Sequence, residues 1–236
     1  MPVMKTHDQT DTTLAMKNLK GLVTDADKRR IHQLGVFEGV CDLVSLFRPA
    51  FALVDGIIAQ EGLGPVYGLP VEMGLVLAGR QVLATDAVAS AVMGFDPTEI
   101  ILLRTAQERG LGTLSLKEIA VVGESIEAVR RRFMRMEEDE RVASLDVTII
   151  HDEGSCTGCR NGVLSSLFDM IQDGSIARAS GMTIVTGGAL PPEGTPQDKV
   201  VAVGVCCPKA LRAWPGYVPG CPPNNIDIVN AILREA

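Results

Sequence analysis

The feature that most constrains the fold is an alternation of short β-branched runs with helical patterns in the second half of the chain. The alternation predicts strands in LDVTII, MTIVTG and VVAVGV, whereas NGVLSSLFDMIQDG and NNIDIVNAILREA carry apolar residues at helical spacing. Strands that are separated by helices favour a mostly parallel sheet with right-handed crossovers. We therefore expect an α/β fold with helices on both faces of its sheets.

The first half shows the same alternation in a larger segment. FALVDGII and VEMGLVLAG are predicted strands, and DAVASAVMGF is a predicted helix that begins at Asp86. A further predicted helix has Asp96 as its N-cap, Pro97 at its first position and Gly110 as its stop. IAVVGES is then a predicted strand, and Ser125 caps a predicted helix, IEAVRRRFMRM.

A charged segment separates the two halves. EEDERVAS has no apolar periodicity, which indicates a domain boundary near residues 136–145. The prediction is a larger α/β domain over residues 1–138 and a smaller α/β module over residues 146–236.

The charge balance and the polarity of the N-terminus limit the partners. The 236 residues carry 22 Lys and Arg against 29 Asp and Glu, a net charge of −7, so nucleic acid is not an expected partner. No apolar stretch approaches the roughly 18 to 20 residues that a membrane span needs. The start, MPVMKTHDQTDTT, is polar where a signal peptide would be apolar, so a cytoplasmic protein is expected.

Five of the six cysteines lie between residues 156 and 221. Cytosolic cysteines rarely form disulfides, so this distribution points to a metal site or to redox chemistry. Cys156 and Cys159 follow the first predicted strand of the module, Cys206 and Cys207 end the third, and Cys221 precedes the last helix. Since sites in parallel sheets form at the carboxyl ends of strands, these segments are expected to converge.

Three kinds of site fit these positions. A redox dithiol needs only the pair Cys156 and Cys159 at a helix N-terminus, and leaves the other cysteines without a role. A structural zinc site usually has two close pairs of ligands, and here the second pair would be split. An iron–sulfur cluster accepts one pair and two distant cysteines, so it fits best, with the third ligand open between Cys206 and Cys207.

CTGC after a strand, a strand ending in Gly-x-Cys, and PGCPP before a helix resemble the small subunit of nickel–iron hydrogenases and the cluster subunit of respiratory complex I. The similarity covers about 90 residues, with compressed spacing between the motifs. It implies one 4Fe-4S cluster held by Cys156, Cys159, Cys206 and Cys221, because Cys206 rather than Cys207 matches the motif.

MKTHDQTDTTLAMKNLKG, VDGIIAQEGLGPVYGLP and ATDAVASAVMGFDP resemble the family called domain of unknown function 362 over about residues 1–134. The resemblance implies an accompanying iron–sulfur module, which many members of that family carry. Members also have a long segment before the Lys-Thr-His element, with which this chain begins. A truncated first domain would expose an apolar edge or face and would tend to associate.

The elements of the first half suggest a polar pocket for a small anionic substrate. The predicted catalytic residues are Lys5, His7, Asp55 and Glu61, and the predicted substrate-binding residues are Lys17, Asn18 and Asp86. Cationic groups would bind the anion, and carboxylates would transfer protons. The alternative is structural: Asp86 caps a helix, and Lys17 and Asn18 lie on a solvated turn.

The expected function is one-electron transfer by a cytoplasmic iron–sulfur protein. The protein would then be either an oxidoreductase itself or the electron donor to a redox partner. The alternative is a non-redox binding or scaffold protein with structural zinc.

Overall fold

A computed structural model describes the backbone of residues 1–234 and the side chains there other than those of residues 29, 32–34 and 143. The chain divides into two compact units. The first, the N-terminal unit, comprises Met1–Ile31 and Val36–Met136. The second, the C-terminal unit, runs from Glu137 onward and includes the short segment His32–Gly35.

The N-terminal unit is a mixed α/β structure. Its strands are β1 (Val3–His7), β2 (Asp11–Thr13), β3 (Ala52–Glu61) and β4 (Leu69–Gly79). Its helices are α1 (Ala15–Asn18), α2 (Asp25–Leu34), α3 (Val36–Phe47), α4 (Val82–Val92), α5 (Ile101–Glu108) and α6 (Ile126–Val129), with a 3-10 turn at Leu19–Leu22. The strands in FALVDGII and VEMGLVLAG are thus confirmed.

The N-terminal sheet has the order β2-β1-β3-β4. β1 is parallel to β3, but it is antiparallel to β2, and β3 is antiparallel to β4. The expectation of a mostly parallel sheet is therefore wrong for this unit, although its α/β class is confirmed. The physical reason is the short connection between β3 and β4, because a parallel pair needs a long crossover and a short loop permits only antiparallel pairing.

One face of this sheet packs against helices and forms the core of the unit. Met4, Val54 and Val71 are buried there together with side chains of α3, α4 and α5. Alternate strand positions, such as Leu53 and Val76, remain exposed. Among the described residues, helices therefore cover one face of this sheet and leave an apolar surface on the other, rather than covering both as the sequence suggested.

Two predicted helix starts are displaced. α4 begins at Val82, four residues before the predicted start, and Gln81 is its N-cap. α5 begins at Ile101, whereas the Asp96 side chain closes a turn by accepting the Thr98 N–H at 2.8 Å. The reason is that an aspartate side chain suits a turn as well as a helix cap.

The segment after α5 is irregular where a strand and a long helix were predicted. IAVVGES is not a strand, and only Ile126–Val129 is helical, with Ser125 as its N-cap accepting the Ala128 N–H at 3.2 Å. Beyond α6 the chain instead bonds to the end of α4, since the Phe133 N–H donates to the Met93 carbonyl at 2.9 Å. These tertiary bonds, together with burial of the Phe133 ring, outweigh local helix propensity.

The C-terminal unit contains an all-parallel sheet in the order β5-β6-β7-β8. Its strands are β5 (Val147–His151), β6 (Met182–Thr186), β7 (Val200–Val203) and β8 (Tyr217–Val218), and its helices are α7 (Glu140–Ala143), α8 (Thr157–Gln172) and α9 (Asn225–Leu233). The three predicted strands, the two predicted helices and the parallel pairing are confirmed here. Among the described residues, no helix is both long and apolar enough to cross a membrane.

Replacing Phe133 tests whether the irregular segment belongs to the core. Phe133 is 1% exposed, so Phe133→Ala should lower the free energy of unfolding by about 3 to 5 kcal/mol. Phe51 is 59% exposed, and Phe51→Ala should change it by less than about 0.5 kcal/mol. Urea unfolding provides the comparison, and equal effects of the two substitutions would contradict the packing.

Candidate functional sites

Three lysines, one histidine and one aspartate gather around the turn that follows β1, a group that we call the lysine cluster: Lys5, His7, Asp8, Lys17 and Lys20. β1 carries Lys5 and His7, the turn places Asp8 next, α1 carries Lys17, and the 3-10 turn carries Lys20. His7 and Asp8 are buried, whereas the three lysines remain partly exposed. The three lysine side chains are thus each partly shielded from solvent.

His7 connects a carboxylate to an amine. Its Nδ1 lies 2.8 Å from Asp8 Oδ1, and its Nε2 directly contacts Lys17 Nζ. The Gln9 N–H donates to Asp8 Oδ1 at 2.8 Å and also lies 3.0 Å from Nδ1. Because Asp8 is the stronger acceptor, we assign the imidazole proton to Nδ1, which leaves Nε2 to accept from Lys17.

Burial governs the electrostatics of the lysine cluster. Burial first, and then the charges of Lys20 and Lys5, lower the pKa of Lys17 to about 7, while the charge of Asp8 opposes them. Burial also lowers the pKa of His7 to about 4, helped by the charge on Lys17. The pKa of Lys20 is lowered to about 8, again mainly by burial. Near neutral pH His7 is therefore uncharged, and about half of Lys17 is present as the free amine.

Asp86 anchors the helix that carries Lys17. Its carboxylate, buried within α4, accepts the N–H groups of Ala15 at 2.8 Å and Met16 at 2.9 Å, the first residues of α1. Burial raises its pKa to about 7, although both hydrogen bonds oppose the shift. Asp86 thus caps a helix, as the structural alternative held, but the helix is α1 and not the one in which Asp86 lies.

The other predicted residues of the pocket do not join this contact. Asp55 lies within β3, where its Oδ1 accepts the Ile57 N–H at 3.0 Å beside a bulge in the strand. Glu61 ends β3 and accepts the Met134 N–H at 2.8 Å. Both carboxylates therefore accept structural hydrogen bonds, and in the described part of the chain neither bonds to the lysine cluster.

Lys5 belongs to the lysine cluster by its charge, which acts on Lys17. Its Nζ also donates to the Pro65 carbonyl at 3.3 Å. Asn18 is the last residue of α1 and is exposed. Asp8 and Lys20 were not predicted as site residues. The His-Asp pair in KTHD and the second lysine of KNLK could have indicated them.

A cavity of about 750 Å³ also lies in the N-terminal unit. It is lined by the edge of β4, by α4 and by the irregular segment after α5, including Leu77, Val88 and Ile119. None of the predicted pocket residues is among its lining residues.

The cysteine-bearing loops of the C-terminal unit lie at the carboxyl end of its parallel sheet. Cys156 is the N-cap of α8, and Cys159 lies in the first turn of this helix. The Cys159 thiol and then the N–H groups of Cys159 and Gly158 donate to Cys156, and together with the charge on Arg160 they lower the Cys156 pKa to about 6 against the effect of burial. The pKa of Cys159 is raised, first because its thiol donates to Cys156 and then because it is buried.

The loop after β7 is bonded to the loop before α9. The Val205 N–H donates to the Gly220 carbonyl at 3.0 Å, which holds the segments of Cys206 and Cys221 side by side. Both thiols are close enough to Cys159 to raise its pKa. Cys206 and Cys221 are exposed.

The tandem cysteines differ in their surroundings. Cys207 is fully buried and its thiol donates to the Val203 carbonyl at 3.2 Å. Burial raises its pKa to about 11. Cys206 is exposed, so it is the more available ligand of the two.

The side chains of the C-terminal unit that could bind a metal can be matched to the kinds of site that the sequence suggested. Within the described residues, no three His, Cys, Asp or Glu side chains are gathered closely enough to hold one metal ion. The four thiols from three loops nevertheless have the chemistry that an iron–sulfur cluster requires, since such clusters are bound by four cysteine thiolates. Thiolates also bind zinc, so the chemistry of the donors does not separate these two occupants.

Comparison with known proteins identifies similarity in the N-terminal unit. Residues 1–91 match the family described as Domain of unknown function (DUF362), a shorter span than the resemblance suggested. The thylakoid-associated protein sll1697 from Synechocystis sp. is 32% identical over 117 residues, which are 47% of this chain and 36% of the relative. The chain thus spans about a third of the length of this curated relative. No solved structure matches the chain.

The pH dependence of stability tests the role of Asp86. Because burial raises its pKa to about 7, its contribution to stability is full below pH 3.8 and is lost as pH rises toward 7. The stability advantage of wild type over Asp86→Asn should therefore decrease between pH 4 and 7, by about 1.4 kcal/mol per pH unit at most. Urea unfolding at several pH values measures it.

Asp96→Asn is the control for this measurement. Hydrogen bonds from Thr98 lower the pKa of Asp96, so its contribution is present above pH 3.8 and is lost only as the pH falls further. Its effect should be constant between pH 4 and 7. A constant effect of Asp86→Asn over the same range would contradict the raised pKa of Asp86.

Two glycines with equal φ test the packing around Cys159. A Cβ on Gly204 would lie 2.9 Å from Cys159 Sγ, whereas a Cβ on Gly123 would meet no atom within 4 Å, and φ is +98° at both. Gly204→Ala should therefore destabilise the protein by about 1 to 3 kcal/mol more than Gly123→Ala, because overpacking is added to the same backbone strain. Thermal unfolding measures the loss of stability in both variants. Similar losses would contradict the position of the Cys159 thiol next to Gly204.

Proposed function

We propose that the C-terminal unit binds one 4Fe-4S cluster through Cys156, Cys159, Cys206 and Cys221, and that the protein transfers electrons. When bound, such a cluster supplies reversible one-electron transfer. The observation that carries the proposal is the origin of these four thiols, in three loops at the carboxyl end of one parallel sheet.

Backbone groups support the proposal at the first pair of ligands. The Gly158 and Cys159 N–H groups at the start of α8 help to lower the pKa of Cys156 and so favour its thiolate. Thiolates are the form that binds metal. Arg160 adds a positive charge near this sulfur. These residues thereby favour the deprotonated ligand without requiring a high pH.

Exposure supports Cys206 as the third ligand. The Cys207 thiol lies in the core and donates to the Val203 carbonyl, so binding a cluster would require its loop to rearrange. Cys206 and Cys221 are exposed on two loops that are bonded to each other, and need no such change.

The zinc scaffold remains the alternative from another functional class. A redox dithiol is also favoured by one observation, the low pKa of Cys156 beside a protonated Cys159 at the start of a helix. The dithiol leaves Cys206 and Cys221 without a role, which is why we prefer the cluster.

The remaining parts of the proposal concern partners and location. The electrons serve a small anionic substrate at the lysine cluster or a partner protein, and the protein is an iron–sulfur oxidoreductase in the first case. We propose a cytoplasmic location without nucleic-acid or membrane partners. The name of the matched relative associates that protein with thylakoids.

Metal analysis of anaerobically purified protein tests the proposal. Iron and sulfide should be present in nearly equal amounts, and Cys156→Ser, Cys159→Ser and Cys221→Ser should each lose most of both, because each removes a thiolate. Cys206→Ser should lose more than Cys207→Ser, since the Cys207 thiol is buried.

Cys41→Ser is the matched control, because Cys41 is buried in the core of the N-terminal unit and should not affect iron content. Full iron content in Cys221→Ser would contradict the ligand assignment. Stoichiometric zinc in colourless protein would support the alternative, and metal-free protein that forms a Cys156–Cys159 disulfide would support the dithiol.

A further inference from the structure

We propose that Lys17 is a reactive amine that forms a Schiff base with a small anionic carbonyl compound, and that His7 and Asp8 orient it. The inference rests on the anionic substrate named under the proposed function, but it does not depend on the cluster. It changes the role of Lys17 from substrate binding to covalent chemistry.

The contacts of His7 orient the amine. Nδ1 lies 2.8 Å from the Asp8 carboxylate, which fixes the ring and leaves Nε2 as an acceptor. Nε2 contacts Lys17 Nζ, so one N–H of the amine is directed toward the imidazole. The lone pair of a neutral amine is then free to attack a carbonyl carbon. His7 and Asp8 are positioning residues in this arrangement.

The backbone adds a second constraint on Lys17. Asp86 accepts the N–H groups of Ala15 and Met16, so the start of α1 is fixed immediately before Lys17. Lys17 is only partly exposed as a residue, so the rate of its trapping measures whether a small molecule reaches Nζ. The amine is held in place at its backbone and at its tip.

Charges around the amine define the class of substrate. Lys5 from β1 and Lys20 from the turn after α1 act on Lys17 as cations, and Asp8 is the anion that opposes them. Near neutral pH these lysines favour a carboxylate or phosphate on the incoming molecule. They also favour the neutral form of Lys17, which agrees with its pKa of about 7.

The reaction balances without an oxidant or a reductant. The Lys17 Nζ lone pair forms a C–N bond to the carbonyl carbon, and one N–H proton passes from the nitrogen to the carbonyl oxygen through solvent water to give a neutral carbinolamine. The hydroxyl group then leaves together with the remaining N–H proton as one water molecule, which gives the imine.

Reductive trapping tests the inference. The full-length protein is incubated at pH 7.4 with glyoxylate and cyanoborohydride, and modified lysines are located by peptide mass spectrometry. Exposed Lys117 and Lys199 are internal references. Lys17 should be modified at least about tenfold faster than either, because a larger fraction of its amine is unprotonated.

Acetaldehyde, a neutral aldehyde, is the matched probe for the anionic substrate. The ratio of Lys17 to Lys117 modification should be higher with glyoxylate, and using a ratio removes the intrinsic difference in reactivity between the aldehydes. Equal ratios would overturn the anionic substrate. Modification spread evenly over Lys17 and the two reference lysines would overturn the inference as a whole.

Variants separate positioning from folding. Asp8→Asn should lower the Lys17 ratio several-fold, whereas Lys209→Gln, at an exposed residue of the C-terminal unit, should leave it unchanged. If Asp8→Asn fails to fold, the pH dependence of wild-type labelling decides the question, since Lys17 labelling should level off near pH 7 to 8, as its pKa of about 7 requires. A Lys17 labelling rate that keeps rising above pH 8 would contradict the inference.

Trapping in Cys156→Ser separates this inference from the cluster. Lys17 should be modified equally in this variant and in wild type, so that loss of iron with retained trapping would show two independent activities. Loss of trapping in a folded Cys156→Ser protein would show that the reactivity of Lys17 depends on the cysteine site, which would contradict this part of the inference.

Discussion

Two hydrogen bonds that one buried aspartate side chain accepts organise the N-terminal unit. Asp86 lies within α4, in the core, and accepts the first two N–H groups of α1. Leaving those donors unbonded in an apolar interior would cost about 1 to 3 kcal/mol each. The bonds therefore tie a four-residue helix, too short to be stable alone, to the central helix of the unit. The position of Lys17 beside His7 follows from this attachment.

The C-terminal unit depends on a different constraint, the direction of its strands. Four parallel strands send their carboxyl ends to one edge of the sheet, and the loops that follow β5 and β7 meet the loop between β8 and α9 there. The bond from Val205 to Gly220 joins the last two loops. Cysteines that are distant in sequence are thus gathered by topology, and of the tandem pair Cys207 is the one directed into the core.

Much of the secondary structure could be predicted from the sequence, because the periodicity of apolar residues decides it. The apolar and β-branched runs identified β3 to β7, and their alternation with helices predicted the parallel C-terminal sheet, whereas the short strands β2 and β8 were not predicted and IAVVGES was wrongly taken for a strand. Strand direction in the N-terminal unit could not be predicted in this way, because the pattern of β4 is the same in either direction. The irregular segment around Phe133 could not be predicted either, because its hydrogen bonds to the end of α4 join residues that are distant in sequence. Asp55 and Glu61 were drawn into a pocket by an assumed parallel topology, whereas Asp8 was overlooked beside His7.

The two sites obtain their reactive forms by opposite physical effects. In the lysine cluster, burial and neighbouring cations destabilise the charged form, so an amine becomes neutral near pH 7. At Cys156, hydrogen bonds from a thiol and from backbone N–H groups stabilise the charged form, so a thiolate is present near the same pH despite burial. Salt screens the influence of the surrounding lysines on Lys17, whereas hydrogen bonds to Cys156 act at contact distance and are little screened. The amine should consequently respond to ionic strength more than the thiolate does, which follows from the origin of each shift rather than from its size.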